Sequence, residues 1–212
     1  MNPLYSQLLK YVPPPTKPEY TGTSADWDRA EKRIGVTFPE DYRWIMDTYG
    51  YGSMGDMHIH NPFAPSGNEG ETELEYRIRE NQIVLTRDLQ PVGKRYTLSD
   101  LGSTVEVRVT TWPKRPGLFP LGRDSSVTSY AYHTKHGDPN RWTVAESALT
   151  ELYFDTKLTL VKYLIRMIEN PTIPGRRNLN SNIFQYYGEK YQKAKYFPFQ
   201  NGCDDHDLFR NA

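Results

Sequence analysis

The chain has 212 residues, and its 26 lysines and arginines balance 26 aspartates and glutamates, so the formal net charge is zero. A neutral chain lacks the basic surface of a general nucleic-acid-binding protein, and a single cysteine excludes an internal disulfide framework and any multi-cysteine zinc site. The sequence shows no signal-peptide pattern and no apolar run of membrane-spanning length. These features predict a soluble cytoplasmic protein that contacts neither nucleic acid nor membrane directly.

Residues 1–23 contain the proline run Pro13-Pro14-Pro15, followed by Pro18. Proline fixes φ and donates no backbone hydrogen bond, so this stretch is expected to be extended or irregular. At most one helical turn is predicted near Leu8. We interpret the segment as a lead-in to the domain that follows.

Two helices are predicted next. Ser24 is a plausible N-cap for a helix over residues 25–34, which Gly35 ends. A second helix begins at Pro39, which suits the first helical position, and ends at Gly50. Its apolar side chains recur with helical spacing at Tyr42, Ile45, Met46 and Tyr49.

The remaining pattern predicts several strands and two more helices. A third helix is predicted over residues 71–88, and a closing helix, started by Asp155 or Thr156, runs through residues 158–168. Strands are predicted at 57–60, 105–109, 118–121, 128–133 and 142–144. Helices, then hairpin-linked strands, then a helix indicate an α+β fold with a mostly antiparallel sheet rather than alternating βαβ units.

The last segment, residues 173–212, is an aromatic-rich C-terminal extension. An exposed ring forgoes roughly 1.5–3 kcal/mol of burial free energy, so a solvated tail is not expected to be aromatic. Two interpretations remain open, a helix and arm docked on the domain's own core, or an arm that binds a partner. The aromatic side chains are Phe184, Tyr186, Tyr187, Tyr191, Tyr196, Phe197, Phe199 and Phe209.

Residues 50–55 match the Gly-x-Gly-x-x-Gly pattern of dinucleotide-binding loops. That fingerprint needs a strand before it and a helix after it, so that the pyrophosphate meets a helix N-terminus. Here a helix precedes and a strand follows. We therefore interpret the glycines as a helix C-cap and turn.

The histidines offer one possible metal site. His58 and His60 lie two residues apart on a predicted strand and hence on one face, a geometry compatible with two metal ligands. A third ligand is needed and the sequence nominates none, so two buried or hydrogen-bonded histidines are the alternative. The sequence does not decide whether the two act together. His133 and His136 flank a turn and are expected in solvent.

Catalytic patterns are weak. There is no Gly-x-Ser-x-Gly elbow and no Walker loop, and Cys203 has no nucleophile pattern around it. The segment from Cys203 to Asp207 contains metal-binding residue types, but we interpret it as an acidic, solvated chain end. The sequence therefore predicts no enzyme, and no catalytic, cofactor-binding or metal site.

Four acids lie within seven residues beside a predicted flexible loop: Glu69, Glu71, Glu73 and Glu75. One interpretation is a solvated helix start. The functional alternative is an acidic patch that binds a basic protein partner and speeds the encounter by long-range attraction.

Several motifs follow one another in a distinctive order. The opening motifs are Trp27-Asp28-Arg29-Ala30-Glu31, Ile34-Gly35-Val36, Phe38-Pro39-Glu40-Asp41-Tyr42-Arg43 and Tyr49-Gly50-Tyr51-Gly52. They resemble the opening of the SUKH superfamily, which includes fungal cell-wall-assembly regulators and bacterial toxin-immunity proteins. Ile59-His60-Asn61-Pro62 resembles the short strand and Asn-Pro loop that follow in this family, and Phe119-Pro120-Leu121-Gly122 and Trp142-Thr143-Val144 resemble its central hairpins. The resemblance spans residues 24–172, which we take as one domain.

The resemblance implies a SUKH-like sheet flanked by helices and a role in protein binding. Immunity proteins of this kind bind and block a cognate toxin, often a nuclease or deaminase, and such enzymes are usually basic at their active sites. A bacterial immunity protein is therefore the first hypothesis. A regulatory interaction module like the fungal members is the second.

Overall fold

The computed structural model describes residues 2–54, 57–88, 96–100, 103–107, 110–124, 128–147, 153–169 and 196–198. Five helices lie in these ranges: α1 (Pro3–Tyr11), α2 (Ser24–Ile34), α3 (Glu40–Tyr49), α4 (Glu73–Asp88) and α5 (Leu160–Glu169). A short 3-10 helix spans Pro139–Arg141. The helices predicted from residues 24 to 88 are confirmed.

Ten strands lie in the described residues: β1 (Gly52–Met54), β2 (Met57–Ile59), β3 (Tyr96–Asp100), β4 (Ser103–Val107), β5 (Thr110–Thr111), β6 (Gly117–Arg123), β7 (Ser129–His133), β8 (Thr143–Ser147), β9 (Tyr153–Asp155) and β10 (Tyr196–Pro198). The main sheet has the order β10-β1-β2-β6-β7-β8-β9, and all of these pairings are antiparallel. Strand β5 adds to β6 in parallel, and β3 and β4 form a separate hairpin. The α+β class and the mostly antiparallel sheet are confirmed.

Helix α2 begins one residue earlier than its predicted cap implies. The N-cap is Thr23, whose backbone N–H donates to Asp26 at 2.9 Å while its hydroxyl accepts from the Asp26 N–H at 3.3 Å. The predicted cap, Ser24, is the first helical residue. Thr23 prevails because Asp26, three residues later, completes the capping box.

The glycines after α3 end that helix and lead into strand β1, in agreement with their interpretation as a helix C-cap and turn. Gly50 has φ +69° and its N–H donates to the Met46 carbonyl at 2.8 Å. A Cβ at this position would lie 2.1 Å from the Glu19 carbonyl oxygen. Both the positive φ and the close approach of the backbone require glycine here.

The N-terminal segment forms more structure than its sequence predicts. Helix α1 has nine residues, and the Asn2 side chain caps it by accepting from the Leu4 N–H at 3.0 Å. Leu8 and Val12 are fully buried in the main core. The Tyr49 hydroxyl donates to the Val12 carbonyl at 2.7 Å. Pro3 occupies the first helical position, where proline is tolerated, and the run Pro13-Pro14-Pro15 follows the helix, so that run limits the end of α1 and not its formation.

Helix α5 starts later than the predicted Asp155 or Thr156. The Thr156 N–H donates to the Val144 carbonyl at 2.9 Å, and Lys157 has φ +60°, so this backbone continues the edge of β9 and then turns. Asp41 of α3 accepts from the Val161 N–H at 3.3 Å and so binds the first turn of α5.

The core is built from aromatic rings. Trp27, Tyr42, Phe119 and Trp142 are each 1 % exposed. Phe38 joins them, with its ring centroid 5.4 Å from that of Trp27 and 6.1 Å from that of Phe119, in edge-on contacts. These rings supply the apolar burial that the modest aliphatic content does not.

Most of the aromatic C-terminal extension lies outside the described residues. The choice between a helix and arm docked on the core and an arm that binds a partner therefore stays open. The segment from Cys203 to Asp207 lies outside the described residues too. Strand β10 is described, and its backbone pairs antiparallel with β1 in the register Ser53 to Phe197.

Candidate functional site

A buried carboxylate joins helix α4 to strand β2. Glu73, the first residue of α4, places its Oε1 atom 2.5 Å from Nε2 of His58 and 2.9 Å from Nδ1 of His60. The three residues are 4–5 % exposed. His58 lies on β2, and His60 directly follows the last residue of that strand, where its N–H donates to the Leu121 carbonyl at 2.9 Å. The two positions are two residues apart along extended backbone, so both rings lie on one face. We call these three residues the His–Glu cluster.

The second carboxylate oxygen of Glu73 is held separately. Oε2 accepts from the backbone N–H of Asn61 at 2.8 Å. The Asn61 side chain is itself buried, and its Oδ1 atom accepts from the N–H groups of Phe63 and Ala64 at 2.7 and 2.9 Å. This Asx turn reverses the chain after β2, and the loop that follows returns to the cluster at Glu73.

Electrostatics in the cluster favour an ionised Glu73. Burial by itself raises the pKa of Glu73, but the two histidines outweigh it through charge and hydrogen bonds, and the net pKa lies well below the usual value. Burial lowers the pKa of His60, which the attraction of Glu73 only partly offsets.

The backbone and rings around the cluster fix its geometry. The Tyr42 hydroxyl donates to the His60 carbonyl oxygen at 2.5 Å, and Tyr42 is 1 % exposed. The ring of Tyr51 contacts the His58 ring edge-on, with 5.3 Å between centroids. The cluster is thus held from the helix, strand and loop sides at once.

A small polar cavity of about 130 Å³ lies beside the cluster. Its lining includes His60, Arg77 and Arg123. Arg77, on the same face of α4 as Glu73, pairs through its Nη1 with the Glu80 Oε2 at 2.7 Å. A charged lining of this kind suits water or a small polar group.

The four predicted partner-binding glutamates do not form one exposed surface. Glu69 is exposed at the loop tip, whereas Glu73 is buried in the cluster. Glu71 is half-buried, and its two oxygens accept from Nε and Nη2 of Arg79 at 3.0 and 3.1 Å. These hydrogen bonds from Arg79 lower the pKa of Glu71.

Glu75 is also engaged within the chain. Its Oε2 accepts from the Thr72 N–H and hydroxyl at 2.9 and 2.8 Å, which caps the start of α4. Its Oε1 lies 2.5 Å from Nε of Arg33 on α2. Arginine partners therefore offset much of the acidity that the sequence spacing suggests.

One histidine lies in a different place from that predicted. His133, expected in solvent, is 8 % exposed and its Nδ1 lies 3.1 Å from Oδ2 of Asp155. Lys135 and Lys157 place their ammonium groups 3.2 and 3.1 Å from the same oxygen. The prediction of a solvated His133 is wrong because β9 pairs with β8 and so places Asp155 within hydrogen-bond distance of the His133 ring.

Comparison with models of protein families identifies the family of this chain. A family model, SUKH_6, described as SMI1-KNR4 cell-wall, matches residues 24–149. The chain belongs to the SUKH superfamily. The resemblance seen in the sequence is thus confirmed. Searches of curated proteins and of solved structures find no match.

In this SUKH domain the residues that carry the resemblance form the scaffold. Trp27, Tyr42, Phe119 and Trp142 are buried, and Gly35 and Gly50 have positive φ. A scaffold recognised by its core and turns leaves its surface free to vary, and function on such folds lies in loops and exposed side chains.

A surface groove of about 730 Å³ runs between α2 and the loop that leads to α4. Its lining includes Tyr20, Phe63 and the basic side chains of Arg29, Lys32 and Arg33. Within the described ranges, no helix has both the length and the apolar character needed to cross a bilayer.

Sequence reasoning missed Glu73 as the third member of the cluster. It took the four glutamates either as a solvated helix start or as an acidic patch for a partner, because four acids lie within seven residues beside a predicted loop. The available signal was Leu74, an apolar residue at the helix start that is fully buried, which shows that the first turn of α4 contacts the core. Which strand the turn contacts depends on the chain reversal at Asn61.

Proposed function

We propose that this SUKH protein is a non-enzymatic bacterial immunity protein that binds a cognate protein toxin in the cytoplasm and neutralises it. The observation that carries the proposal is the family match over residues 24–149. The buried aromatic core supports it, because a rigid sheet-and-helix scaffold that carries loops and exposed side chains suits the recognition of one specific partner.

We assign the partner contact to the acidic edge of the loop before α4. Glu69 is fully available to a partner, and Glu71 and Glu75 stand behind it in pairs with Arg79 and Arg33. An arginine that leaves such a pair exposes a carboxylate to a basic toxin surface. Glu73 fixes the end of the loop from the interior and so holds these groups in place.

The test of the immunity function is co-expression. Toxin domains encoded in reading frames adjacent to this one are expressed with and without the SUKH protein, and growth is scored. The expected result is that the SUKH protein restores growth against one of these toxins and that the two purified proteins form a stable complex. Absence of rescue with every adjacent toxin contradicts the immunity proposal.

The test of the acidic edge is the association rate measured across ionic strength. Glu69→Lys is expected to slow binding of a basic toxin, and more so at low salt, because long-range attraction is screened over about 10 Å at 0.1 M salt. The matched control is Glu40→Lys, the same charge reversal at an exposed residue of α3. Equal association rates for Glu69→Lys and Glu40→Lys at every salt concentration would show that the toxin contacts another part of the surface.

A regulatory role is the second candidate function. The description of the matching family, SMI1-KNR4 cell-wall, favours it. A regulatory module is expected to co-purify with endogenous proteins in the absence of any toxin. Capture of the same endogenous partner by the wild type and its loss with a surface variant would favour this role over immunity.

A further inference from the structure

We propose that the His–Glu cluster is a binding site for a divalent transition metal of the zinc class, with Nε2 of His58, Nδ1 of His60 and a carboxylate oxygen of Glu73 as its protein ligands. The three candidate donor atoms lie within 4.8 Å of one another. Two imidazoles and one carboxylate are a donor set that zinc uses in proteins.

The distances allow a metal ion after small side-chain movements. Ligand atoms at about 2.0–2.1 Å from a tetrahedral zinc lie roughly 3.3 Å apart. In the cluster the two nitrogens are 2.5 and 2.9 Å from the shared Glu73 oxygen. The carboxylate must therefore withdraw by less than one ångström from each ring, and the two ring nitrogens, which lie within 4.8 Å of each other, must come to about 3.3 Å. Rotation of the three side chains supplies both shifts.

The surroundings hold the ligands as outer-shell groups do in metal proteins. The Asn61 N–H binds Oε2 of Glu73 at 2.8 Å and leaves Oε1 directed at the two rings. Strand β2 lies between β1 and β6, which fixes the backbone of His58, and the N–H of His60 donates to the Leu121 carbonyl of β6 at 2.9 Å. Outer-shell hydrogen bonds and a rigid backbone orient the ligands before the ion arrives.

Charge also favours a cation in the cluster. An ionised carboxylate in a buried site is costly unless it is paired, and a divalent ion pairs with it more strongly than a hydrogen bond from an imidazole does. A metal ion binds only a deprotonated ring nitrogen, so the proton between each ring and Glu73 passes to the other nitrogen of that ring or to solvent. The charge of Arg77, which opposes a cation, is offset by Glu80 at 2.7 Å.

A fourth ligand can come from water. His60 lines the cavity of about 130 Å³, and a water molecule occupies about 30 Å³ in the liquid, so several waters fit beside the cluster. With three protein ligands and one water the coordination is tetrahedral. Mg²⁺ and Ca²⁺ prefer oxygen ligands and are not expected to bind here.

A second histidine–carboxylate pair provides an internal control. His133 and Asp155 are also buried and 3.1 Å apart, but Lys135 and Lys157 lie within 3.2 Å of the same Asp155 oxygen. Two ammonium groups already neutralise that carboxylate and would repel a cation. Metal is therefore expected at the His–Glu cluster and not at this pair.

The experiment uses the full chain, purified, stripped with a chelator and titrated with Zn²⁺ or Co²⁺. One ion per chain is expected, and the Co²⁺ form should show the intense visible bands of tetrahedral nitrogen and oxygen coordination without a thiolate band. Glu73→Gln and a His58→Gln, His60→Gln double variant should weaken Zn²⁺ binding by at least the roughly 100-fold that loss of an outer-shell group can cost.

Matched variants separate this site from others. Asp155→Asn and His206→Ala should leave the stoichiometry and affinity unchanged, because they alter the lysine-neutralised pair and the acidic chain end. Binding that survives Glu73→Gln, or that His206→Ala abolishes, overturns the proposal. If the cluster variants do not fold, the wild-type protein still tests the proposal. Folded wild-type protein that shows no tetrahedral Co²⁺ bands would overturn the proposal.

Discussion

The side chain of Asn140 caps a helix that begins a hundred residues earlier in the chain. Its Oδ1 atom accepts from the Glu40 N–H at 2.8 Å, at the first turn of α3. The N-cap position of α3 is Pro39, which has no side-chain hydrogen bond to offer. The 3-10 helix Pro139–Arg141 thus supplies the cap that the local sequence lacks.

Replacement of Asn140 by alanine is expected to lower the free energy of unfolding by about 1 kcal/mol, as loss of a helix cap does. Asn140→Asp keeps the acceptor and places a negative charge at a helix N-terminus, so it should retain the stability. Urea denaturation of the three proteins measures the difference. Equal destabilisation by alanine and aspartate would show that the cap is not the cause.

The N-terminal helix is expected to stabilise the domain although the family match begins only at residue 24. Leu8 is fully buried in the core that also contains α3 and α5 residues, so Leu8→Ala should cost about 2–5 kcal/mol through lost burial and a cavity. Lys10→Ala, on the exposed side of the same helix, is the control. Thermal unfolding of both variants checks the prediction, and matching melting temperatures would contradict it.

Asp155 should make part of the stability depend on acid pH. Burial raises its pKa, but hydrogen bonds from His133, Thr143 and Lys157 outweigh this and hold the pKa well below the ordinary value. A lowered pKa in the folded state stabilises the protein above the unfolded-state value of about 3.9 and loses that effect as pH falls below it. Asp155→Asn should therefore cost on the order of 2 kcal/mol at pH 7.

The measurement for Asp155 is the stability difference between wild type and Asp155→Asn as a function of pH. It should be constant between pH 7 and 5 and then shrink below about pH 4 by up to roughly 1.4 kcal/mol per pH unit. Comparison with the variant removes the contribution of the other carboxylates. A difference that stays constant down to pH 3 would show that the interaction is not ionic.

Substitution of Glu73 and substitution of Glu69 are expected to differ in their effect on stability, although the two residues are only four positions apart in sequence. Glu73→Ala leaves the N–H groups of both cluster histidines and of Asn61 without their acceptor, at a cost of on the order of 3 kcal/mol. Glu69→Ala, at an exposed loop tip, should change stability by less than about 0.5 kcal/mol. Unfolding is measured in the presence of a chelator, so that bound metal does not contribute.

Local sequence rules located most of the elements. The spacing of Tyr42, Ile45, Met46 and Tyr49 predicts α3, and all four residues are buried. Element bounds were less accurate where a distant group intervened. Helix α5 begins after its predicted start because the Thr156 N–H is taken by Val144 of a neighbouring strand.

The sequence by itself determined the class of fold, because periodicity, caps and positive-φ glycines act between residues close together in the chain, and its ordered motifs carried the resemblance to the SUKH superfamily. Only the tertiary structure decided which polar groups meet. Glu73 joins His58 and His60, and Asp155 joins His133, since an Asx turn and a strand pairing bring together residues that no local rule connects. The partners and the lowered pKa values of these two carboxylates come from residues that are distant in sequence, and not from their sequence neighbours.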